Sequence, residues 1–298
     1  MIVGTKVGKE TVPLYIDKGI YNQLMNVQKK VQKKDFDYLF CIDGGEGTGK
    51  SVLALQFAKV LDPNFTINQV AFTPDEFVKC VVYSKPHQCI VFDEAFTGLS
   101  SRSSLSEINN LLVQLMMEMR QKNLFVIIVL PTIFMLDKYV ALHRAKCLFH
   151  VVIDKHGNRG LWLFYNYDLL KKLYLRGKRF YDYSCVKQLL YGKFKDTYMV
   201  DEKAYRLKKF NAIKLKNRER KVKKYKFQRD ALIKALHGEF GLKYRAISEL
   251  LKEYDVEISE RGINSIIKPN SDIIIEENEE NTRENPGKDE KSETSAII

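Results

Sequence analysis

Cysteine pairs, long apolar segments and a hydrophobic leader are all lacking in this chain of 298 residues. Its five cysteines lie far apart and include no CxxC pair, so neither a disulfide framework nor a zinc site is expected. The longest apolar run, at 124–136, is too short to span a bilayer and is interrupted by Pro131. The N-terminus carries no apolar signal region. We therefore expect a cytoplasmic protein with reduced thiols and no membrane span.

Charge is distributed very unevenly along the chain. The hydrophobic fraction of 45% is ordinary for a soluble globular protein, but the formal net charge of +12 is not. Residues 271–298 contain nine acids and three bases, so residues 1–270 carry +18. The composition predicts a disordered acidic tail behind a basic folded part, and the basic part favours an acidic partner.

Between residues 35 and 155, short apolar runs alternate with longer patterns of helical period. This alternation predicts an α/β fold whose central, mostly parallel sheet is flanked by helices. We expect strands near 38–43, 69–72, 88–93, 124–129 and 147–153, and helices near 49–60, 74–82 and 105–121. Two apolar runs flank the turn-forming segment 154–160, which predicts a hairpin that extends the sheet at one edge.

A glycine-rich motif follows the first strand of this domain. Residues 44–51 satisfy G-x-x-x-x-G-K-[ST], with an apolar strand before the motif and an apolar-periodic helix after it. In such a loop, backbone N–H groups and the helix N-terminus face phosphates, Lys50 adds a positive charge and Ser51 is a ligand of Mg²⁺. The predicted cofactors are ATP and Mg²⁺. The predicted nucleotide-binding residues are Gly44, Gly45, Glu46, Gly47, Thr48, Gly49, Lys50, Ser51 and Val52.

An acidic pair follows the apolar strand at 89–92. The segment "CIVFDEAF" delivers Asp93 and Glu94 to the carboxyl edge of the sheet, where ligands bind in open α/β folds. We expect Asp93 to hold Mg²⁺ through water and Glu94 to act as the general base on the attacking water. A helix-capping role is the alternative for such a pair.

Further catalytic candidates are less sharply defined by the sequence. Thr132, at the end of the apolar run, is placed either to sense the γ-phosphate or to cap a helix. Arg102, Arg120 and Arg144 are candidates for an arginine finger that reaches the nucleotide of a neighbouring subunit, with a surface ion pair as the alternative for each.

The C-terminal third is helical and basic. Residues 203–226 hold twelve Lys or Arg and one acid, Glu219. Three short helical patterns follow, near 229–237, 244–251 and 259–267, with Ser259 as an N-cap. They predict a helix-turn-helix-like module with Arg261 and Asn264 on the recognition helix, or else a three-helix unit for protein contact. We therefore divide the chain into an ATPase domain at 1–200, a basic linker helix at 201–226, the small module at 227–270 and the tail at 271–298.

With these motifs, residues 36–166 resemble the P-loop NTPases in which a catalytic glutamate follows the metal-binding aspartate. Within them, "VFDEAF", "MEMRQKN", "LFVIIVLP" and "LDKYVALHRAKCLFHV" are similar to the layout of Zot-like proteins and of FtsK/HerA-type motor ATPases of viruses and plasmids. The resemblance implies a homo-oligomeric ring that uses ATP to move double-stranded DNA, in a host cytoplasm or in association with a virion. This chain has Pro131-Thr132 where such motors often carry glutamine, and it lacks the membrane span of phage Zot proteins.

Several functions are compatible with these residues. The first hypothesis is an ATP-driven DNA translocase or packaging ATPase. The alternatives are a nucleotide-switched DNA-binding protein for partition, loading or regulation, the ATPase part of a terminase, and a metabolic P-loop kinase. A terminase nuclease would need several carboxylates on strands, whereas residues 167–268 are predicted to be helical and basic. The kinase is disfavoured by Glu94 and by the charge of the folded region.

Overall fold

The chain contains two compact units, of which the first ends at Lys214 and the second begins at Leu215. The computed structural model describes residues 2–7, 10–93 and 102–268. The predicted acidic tail at 271–298 and the predicted general base Glu94 lie outside these residues. Among the described residues, no helix is both long enough and apolar enough to cross a membrane.

The first unit is an α/β fold built on a seven-stranded mixed sheet. The strand order is β4-β5-β6-β3-β7-β8-β9, in which the first five strands are parallel and the last two are antiparallel to their neighbours. Strands β1 and β2 form a separate antiparallel pair. The strands are β1 (Ile2–Val7), β2 (Glu10–Tyr15), β3 (Tyr38–Gly44), β4 (Val70–Ala71), β5 (Cys89–Phe92), β6 (Phe125–Val129), β7 (Ala145–Val152), β8 (Leu161–Asn166) and β9 (Leu190–Lys193).

Helices connect the parallel strands, and several begin at recognisable caps. The Asp17 side chain accepts hydrogen bonds from the N–H groups of Gly19 and Ile20, and Thr73 caps a helix whose first residue is Pro74. The α-helices are α1 (Lys18–Lys33), α2 (Lys50–Leu61), α3 (Pro74–Tyr83), α4 (Arg102–Gln121), α5 (Tyr167–Gly177), α6 (Glu202–Gly238), α7 (Tyr244–Glu253) and α8 (Glu260–Ile267). Two short 3₁₀ helices (Ile67–Gln69, Ile133–Met135) and one π-helix (Val140–Arg144) complete the elements of the described residues.

The central strand β3 explains why the sheet is covered on both faces. Phe40 and Ile42 belong to one apolar cluster, whereas Leu39 and Cys41 belong to the other. Because successive side chains of a strand point to opposite faces, both faces of β3 are buried. This double burial matches the uninterrupted apolar sequence that precedes the glycine-rich loop.

The predicted α/β fold is confirmed, and the five predicted strands correspond to β3, β4, β5, β6 and β7. The predicted hairpin is also present, since β7 pairs with β8 in antiparallel register. It extends the sheet on one side, as expected, and β9 pairs with β8 as the outermost strand there. Strands β1 and β2 and helix α1 were not expected from the sequence.

Two of the predicted C-terminal segments are a single helix. The basic segment 203–226 and the pattern at 229–237 both lie within α6, so a separate helix at 229–237 was wrong. The first unit reaches Lys214, beyond the predicted boundary at 200, because Tyr205 and Ala212 of α6 are buried in its core.

The second unit has a small apolar core of its own. The end of α6 and helices α7 and α8 share that core, which contains Ile233, Ile247, Leu251 and Ile263. Ser259 is the N-cap of α8, as predicted, and its hydroxyl accepts a hydrogen bond from the N–H of Gly262 at 3.2 Å.

Candidate functional site

The glycine-rich loop at 44–51 leaves the carboxyl end of β3 and leads directly into α2. Gly44 has a φ of +140°, and a Cβ there would lie 2.1 Å from the backbone oxygen of Val151 on β7. Gly49, at a φ of +99°, lies against the ring of Phe194, which a Cβ would approach to 3.1 Å. Both positions require glycine, because larger residues would be strained and would clash.

The loop is stabilised by its own polar groups. The Thr48 hydroxyl donates to the Gly45 oxygen at 3.0 Å, and the Gly44 N–H donates to the Pro131 oxygen at 3.3 Å. Helix α2 begins at Lys50, so its N-terminal N–H groups and the positive end of its dipole lie at the loop. This geometry suits an anion such as phosphate.

Lys50 lies along the loop and faces several acids. Its ammonium donates to the backbone oxygens of Gly44 at 2.7 Å and Gly45 at 2.5 Å. Burial lowers the pKa of Lys50, while the charges of Asp43, Asp93 and Glu46 act in the opposite direction. The lysine is thus held where an anion on the loop would contact it.

Asp93 directly follows β5 and is almost completely buried. Its Oδ2 accepts a hydrogen bond from the hydroxyl of Tyr205 on α6, and the Lys209 ammonium lies 4.0 Å from the same oxygen. Its Oδ1 is buried and has no hydrogen-bond partner among the described residues. Burial first, and the Asp93 charge second, raise the pKa of Tyr205. A side-chain hydrogen bond with Ser51 acts on this pKa in the opposite direction.

The predicted metal ligands Ser51 and Asp93 therefore line one cavity, and both interact with the phenol of Tyr205. Hydroxyl and carboxylate oxygens are the ligands that Mg²⁺ prefers, and the unpartnered Oδ1 of Asp93 fits a nearby cation. Among residues 2–7, 10–93 and 102–268, no group of three His, Cys, Asp or Glu side chains could hold a metal ion. A cation here would need oxygens from a bound phosphate or water as well.

A cavity of about 600 Å³ lies beside the loop. Four cationic side chains line it: Lys50, Arg159, Arg206 and Lys209. Arg159, from the turn between β7 and β8, lies next to Gly47, since a Cβ on that glycine would be 3.8 Å from the Arg159 Nη2. The other lining residues are Glu46, Gly47, Thr48, Gly49, Ser51, Val52, Asp93, Val129, Leu130, Pro131, Asp196, Tyr198 and Ile213.

A second buried carboxylate, Asp43, lies at the end of β3 and belongs to a closed network. His150 Nδ1 lies 2.8 Å from Asp43 Oδ1, and the Asp43 Oδ2 accepts from the Tyr183 hydroxyl and from the Ile133 N–H. The rings of His150 and Tyr183 are stacked with their centroids 3.9 Å apart. Thr132 joins through a 2.8 Å hydrogen bond with the Tyr183 hydroxyl.

Thr132 shows the geometry of a helix cap. Its side chain accepts from the N–H of Phe134 at 3.4 Å, at the start of the short 3₁₀ helix Ile133–Met135. The capping alternative thus describes its contacts, and a role in γ-phosphate sensing stays a prediction.

The three predicted arginines are not brought to the loop by described contacts. Arg144 pairs with Asp37 at 2.6 Å, and these residues immediately precede β7 and β3, at the opposite end of the sheet from the loop. Arg120, in the last turn of α4, also does not line the cavity. The side chain of Arg102 lies outside the described residues. An action on a neighbouring subunit stays a prediction for all three.

The sequence analysis missed the contribution of α6 and Arg159 to this site. Residues 203–226 were interpreted as a linker because of their charge, although Tyr205 and Ala212 are spaced as on one helix face, and both are buried. That spacing was the available signal for a packed helix.

Comparison of the chain with protein-family models, with curated proteins and with solved structures gives no match.

Proposed function

We propose that this chain is a P-loop NTPase that hydrolyses ATP to move DNA, as a translocase or a packaging ATPase. The observation that carries the proposal is the convergence of Lys50, Ser51 and Asp93 on one cavity at the carboxyl edge of the sheet. In this proposal, the loop amides and Lys50 bind the β- and γ-phosphates, and Ser51 and Asp93 hold Mg²⁺. The protein would act as a homo-oligomeric ring in a host cytoplasm or on a virion.

The chemistry is divided among the residues as follows. A bound Mg²⁺ neutralises the charge that develops on the transferred phosphoryl group. Lys50 orients the phosphates, and Glu94, the neighbour of Asp93 in the sequence, accepts the proton of the attacking water. Arg159, the cation beside Gly47, supplies further positive charge within the same subunit.

DNA is the proposed partner for two reasons, the positive charge of residues 1–270 and the small helical second unit. Residues 1–270 carry +18, and α6 contains most of the basic run. Arg261 and Asn264 of α8 are exposed on a small helical unit, as a recognition helix would require. Contacts between basic side chains and DNA phosphates would give strongly salt-dependent binding.

The test is ATP hydrolysis by purified protein, with and without double-stranded DNA, at two salt concentrations. We expect DNA to stimulate hydrolysis, salt to weaken the stimulation, and Glu94→Gln and Lys50→Ala to abolish turnover. The matched control is Lys187→Ala, which removes an exposed lysine of the first unit that does not line the cavity. DNA-stimulated hydrolysis that survived Lys50→Ala would overturn the site assignment.

A second candidate is a DNA-binding protein switched by nucleotide. It is favoured by the hydrogen bond from Tyr205 to Asp93, because a cation or nucleotide at that site would alter the contact of the basic start of α6. A roadblock assay separates the candidates: a motor displaces a protein bound to the DNA during ATP turnover, whereas a switch only dissociates.

A further inference from the structure

Tyr205 is the described side chain that donates a hydrogen bond to Asp93. It lies in the second turn of α6, and its side chain is 2% exposed. Its ring packs against Phe72, with centroids 5.2 Å apart, and against Tyr198, with centroids 5.5 Å apart. Because neighbours hold the ring on two sides, the hydroxyl has a fixed position.

The position of this hydroxyl conflicts with the proposed metal site. It donates to Asp93 Oδ2 and also interacts with the Ser51 side chain, so it contacts both residues proposed to hold Mg²⁺. The Lys209 ammonium, one turn further along α6, adds positive charge 4.0 Å from the same carboxylate oxygen. One helix therefore supplies both a hydrogen bond and a positive charge to the carboxylate oxygen that a divalent cation would otherwise coordinate.

We propose that Tyr205 is a blocking residue of the metal site, and that Mg²⁺ loading with nucleotide requires its hydroxyl to leave Asp93. This inference rests on the proposed function and adds a means of regulating the same site. Tyr205 is a residue of the start of α6, so its hydroxyl moves with that segment. Metal loading and the position of the start of α6 are therefore thermodynamically linked. A ligand that draws the start of α6 from the sheet would then raise metal affinity.

The start of α6 is also suited to receive such a ligand. Its first thirteen positions, 202–214, include Lys203, Arg206, Lys208, Lys209 and Lys214. Arg206 and Lys209 line the cavity, while Lys208 donates to the backbone oxygen of Val70. A polyanion attracted to these side chains would compete with their contacts to the rest of the first unit, so the proposed DNA partner is the expected effector.

The test compares Tyr205→Phe with the wild type. Phenylalanine keeps the ring packing and removes the hydroxyl. The dissociation constant of a fluorescent, non-hydrolysable ATP analogue is measured in Mg²⁺ and in EDTA for each protein. We expect Tyr205→Phe to leave the value in EDTA unchanged and to strengthen binding in Mg²⁺ by roughly tenfold to a hundredfold, the range for a lost hydrogen bond to a charged group.

Tyr174→Phe is the matched control. Tyr174 is equally buried, and its hydroxyl donates to the backbone oxygen of Leu136, away from the cavity. Both substitutions remove one buried tyrosine hydroxyl, so a general loosening of the fold would affect both proteins alike. We expect Tyr174→Phe to leave the Mg²⁺-to-EDTA ratio unchanged.

Three results would overturn the inference, and one of them would also overturn the proposed function. An unchanged or reduced Mg²⁺ effect in Tyr205→Phe, with Mg²⁺-dependent binding in the wild type, would contradict the blocking role alone. A reduced effect would assign Tyr205 to orienting Asp93 instead. A wild type that binds no nucleotide would overturn the proposed function and this inference together.

A second measurement uses the wild type and does not depend on the stability of a variant. Amide hydrogen exchange at residues 202–210 is followed with the analogue in Mg²⁺ and in EDTA. Faster exchange in Mg²⁺ alone is expected, since the start of α6 loses its contact with Asp93. Identical exchange in both conditions would contradict the proposal.

Discussion

Asp43 and Asp93 are two buried aspartates at the carboxyl edge of one sheet, and they differ in how fully their oxygens are hydrogen-bonded. Each accepts a hydrogen bond from a buried tyrosine, Tyr183 for Asp43 and Tyr205 for Asp93. The other oxygen of Asp43 faces His150 at 2.8 Å. The other oxygen of Asp93 is buried without a partner among the described residues.

This difference distinguishes a structural carboxylate from one prepared for a ligand. Asp43 also accepts from the backbone N–H of Ile133 at 2.7 Å, so its network ties β3 to the segment after β6. An unpartnered buried oxygen such as that of Asp93 costs roughly 1–3 kcal/mol, which a bound cation or water would recover. We therefore expect substitutions of Asp43 to affect stability and substitutions of Asp93 to affect binding.

The largest expected effect is that of Asp93→Asn on catalysis. Asparagine keeps the shape and can still accept from Tyr205, but it loses the charge that holds Mg²⁺. We expect Mg²⁺-dependent ATP hydrolysis, measured as phosphate release, to fall on the order of a thousandfold. Urea unfolding should show stability within about 1 kcal/mol of the wild type. ATP hydrolysis by this variant at the wild-type rate would contradict the assignment of Asp93 to the metal site.

Asp43→Asn is the converse experiment. The substitution takes the charge from a completely buried network and leaves His150 and Tyr183 without their charged acceptor. We expect the free energy of unfolding in urea to fall by about 2–3 kcal/mol, because buried hydrogen bonds to the Asp43 carboxylate are lost or weakened. The control is Asp168→Asn, in which an exposed aspartate at the start of α5 is replaced and stability should change little. Equal losses in both variants would contradict the structural role.

The sequence was sufficient for the parts of this comparison that depend on local patterns. The loop at 44–51 and Asp93 were found because a strand, a turn and a helix follow one another within a few residues. Tyr205 could not be paired with Asp93, since 112 positions separate them and the pairing depends on how α6 packs. The partnership of Arg144 with Asp37, across 107 positions, was hidden for the same reason.

The sequence also misjudged α6 because charge dominated its interpretation. Twelve basic residues in 203–226 predicted an exposed linker helix, yet Tyr205 and Ala212 are buried in the core of the first unit. Long basic side chains can cover apolar surface while their charged ends stay in water, so a basic composition does not exclude packing.

Tyr183→Phe sharpens the comparison through pH. Burial first, and the Asp43 charge second, raise the pKa of Tyr183 above its ordinary value of 10.0. The folded state therefore holds this proton more tightly than the unfolded state, and its stabilising contribution is complete below pH 10 and lost as pH rises further. We expect wild-type stability in urea to fall steeply from pH 10 to 11, and Tyr183→Phe to fall less steeply.

At neutral pH, the same variant should be less stable than the wild type by about 1–2 kcal/mol, because Asp43 loses a hydrogen bond. Tyr191→Phe is the control, since Tyr191 on β9 is 72% exposed and should leave the pH profile unchanged. Some alkaline loss should persist in Tyr183→Phe, because burial also raises the pKa of Tyr38. Identical alkaline slopes in Tyr183→Phe and the wild type would show that Asp43 does not hold the phenol in its protonated form.

The smallest expected effect concerns Arg159, a cation that lines the same cavity as Asp93. It lines the cavity beside Gly47, and it forms no ion pair with a residue that the structure describes. We expect Arg159→Ala to weaken binding of the fluorescent ATP analogue by roughly threefold to tenfold in EDTA as well as in Mg²⁺, since a charge-assisted phosphate contact does not require the metal. Arg176→Ala, which removes an exposed arginine of α5, should leave both values unchanged. A loss confined to Mg²⁺ would instead connect Arg159 to the Asp93 metal site, and an unchanged affinity would leave Lys50 as the main phosphate-binding side chain of the cavity.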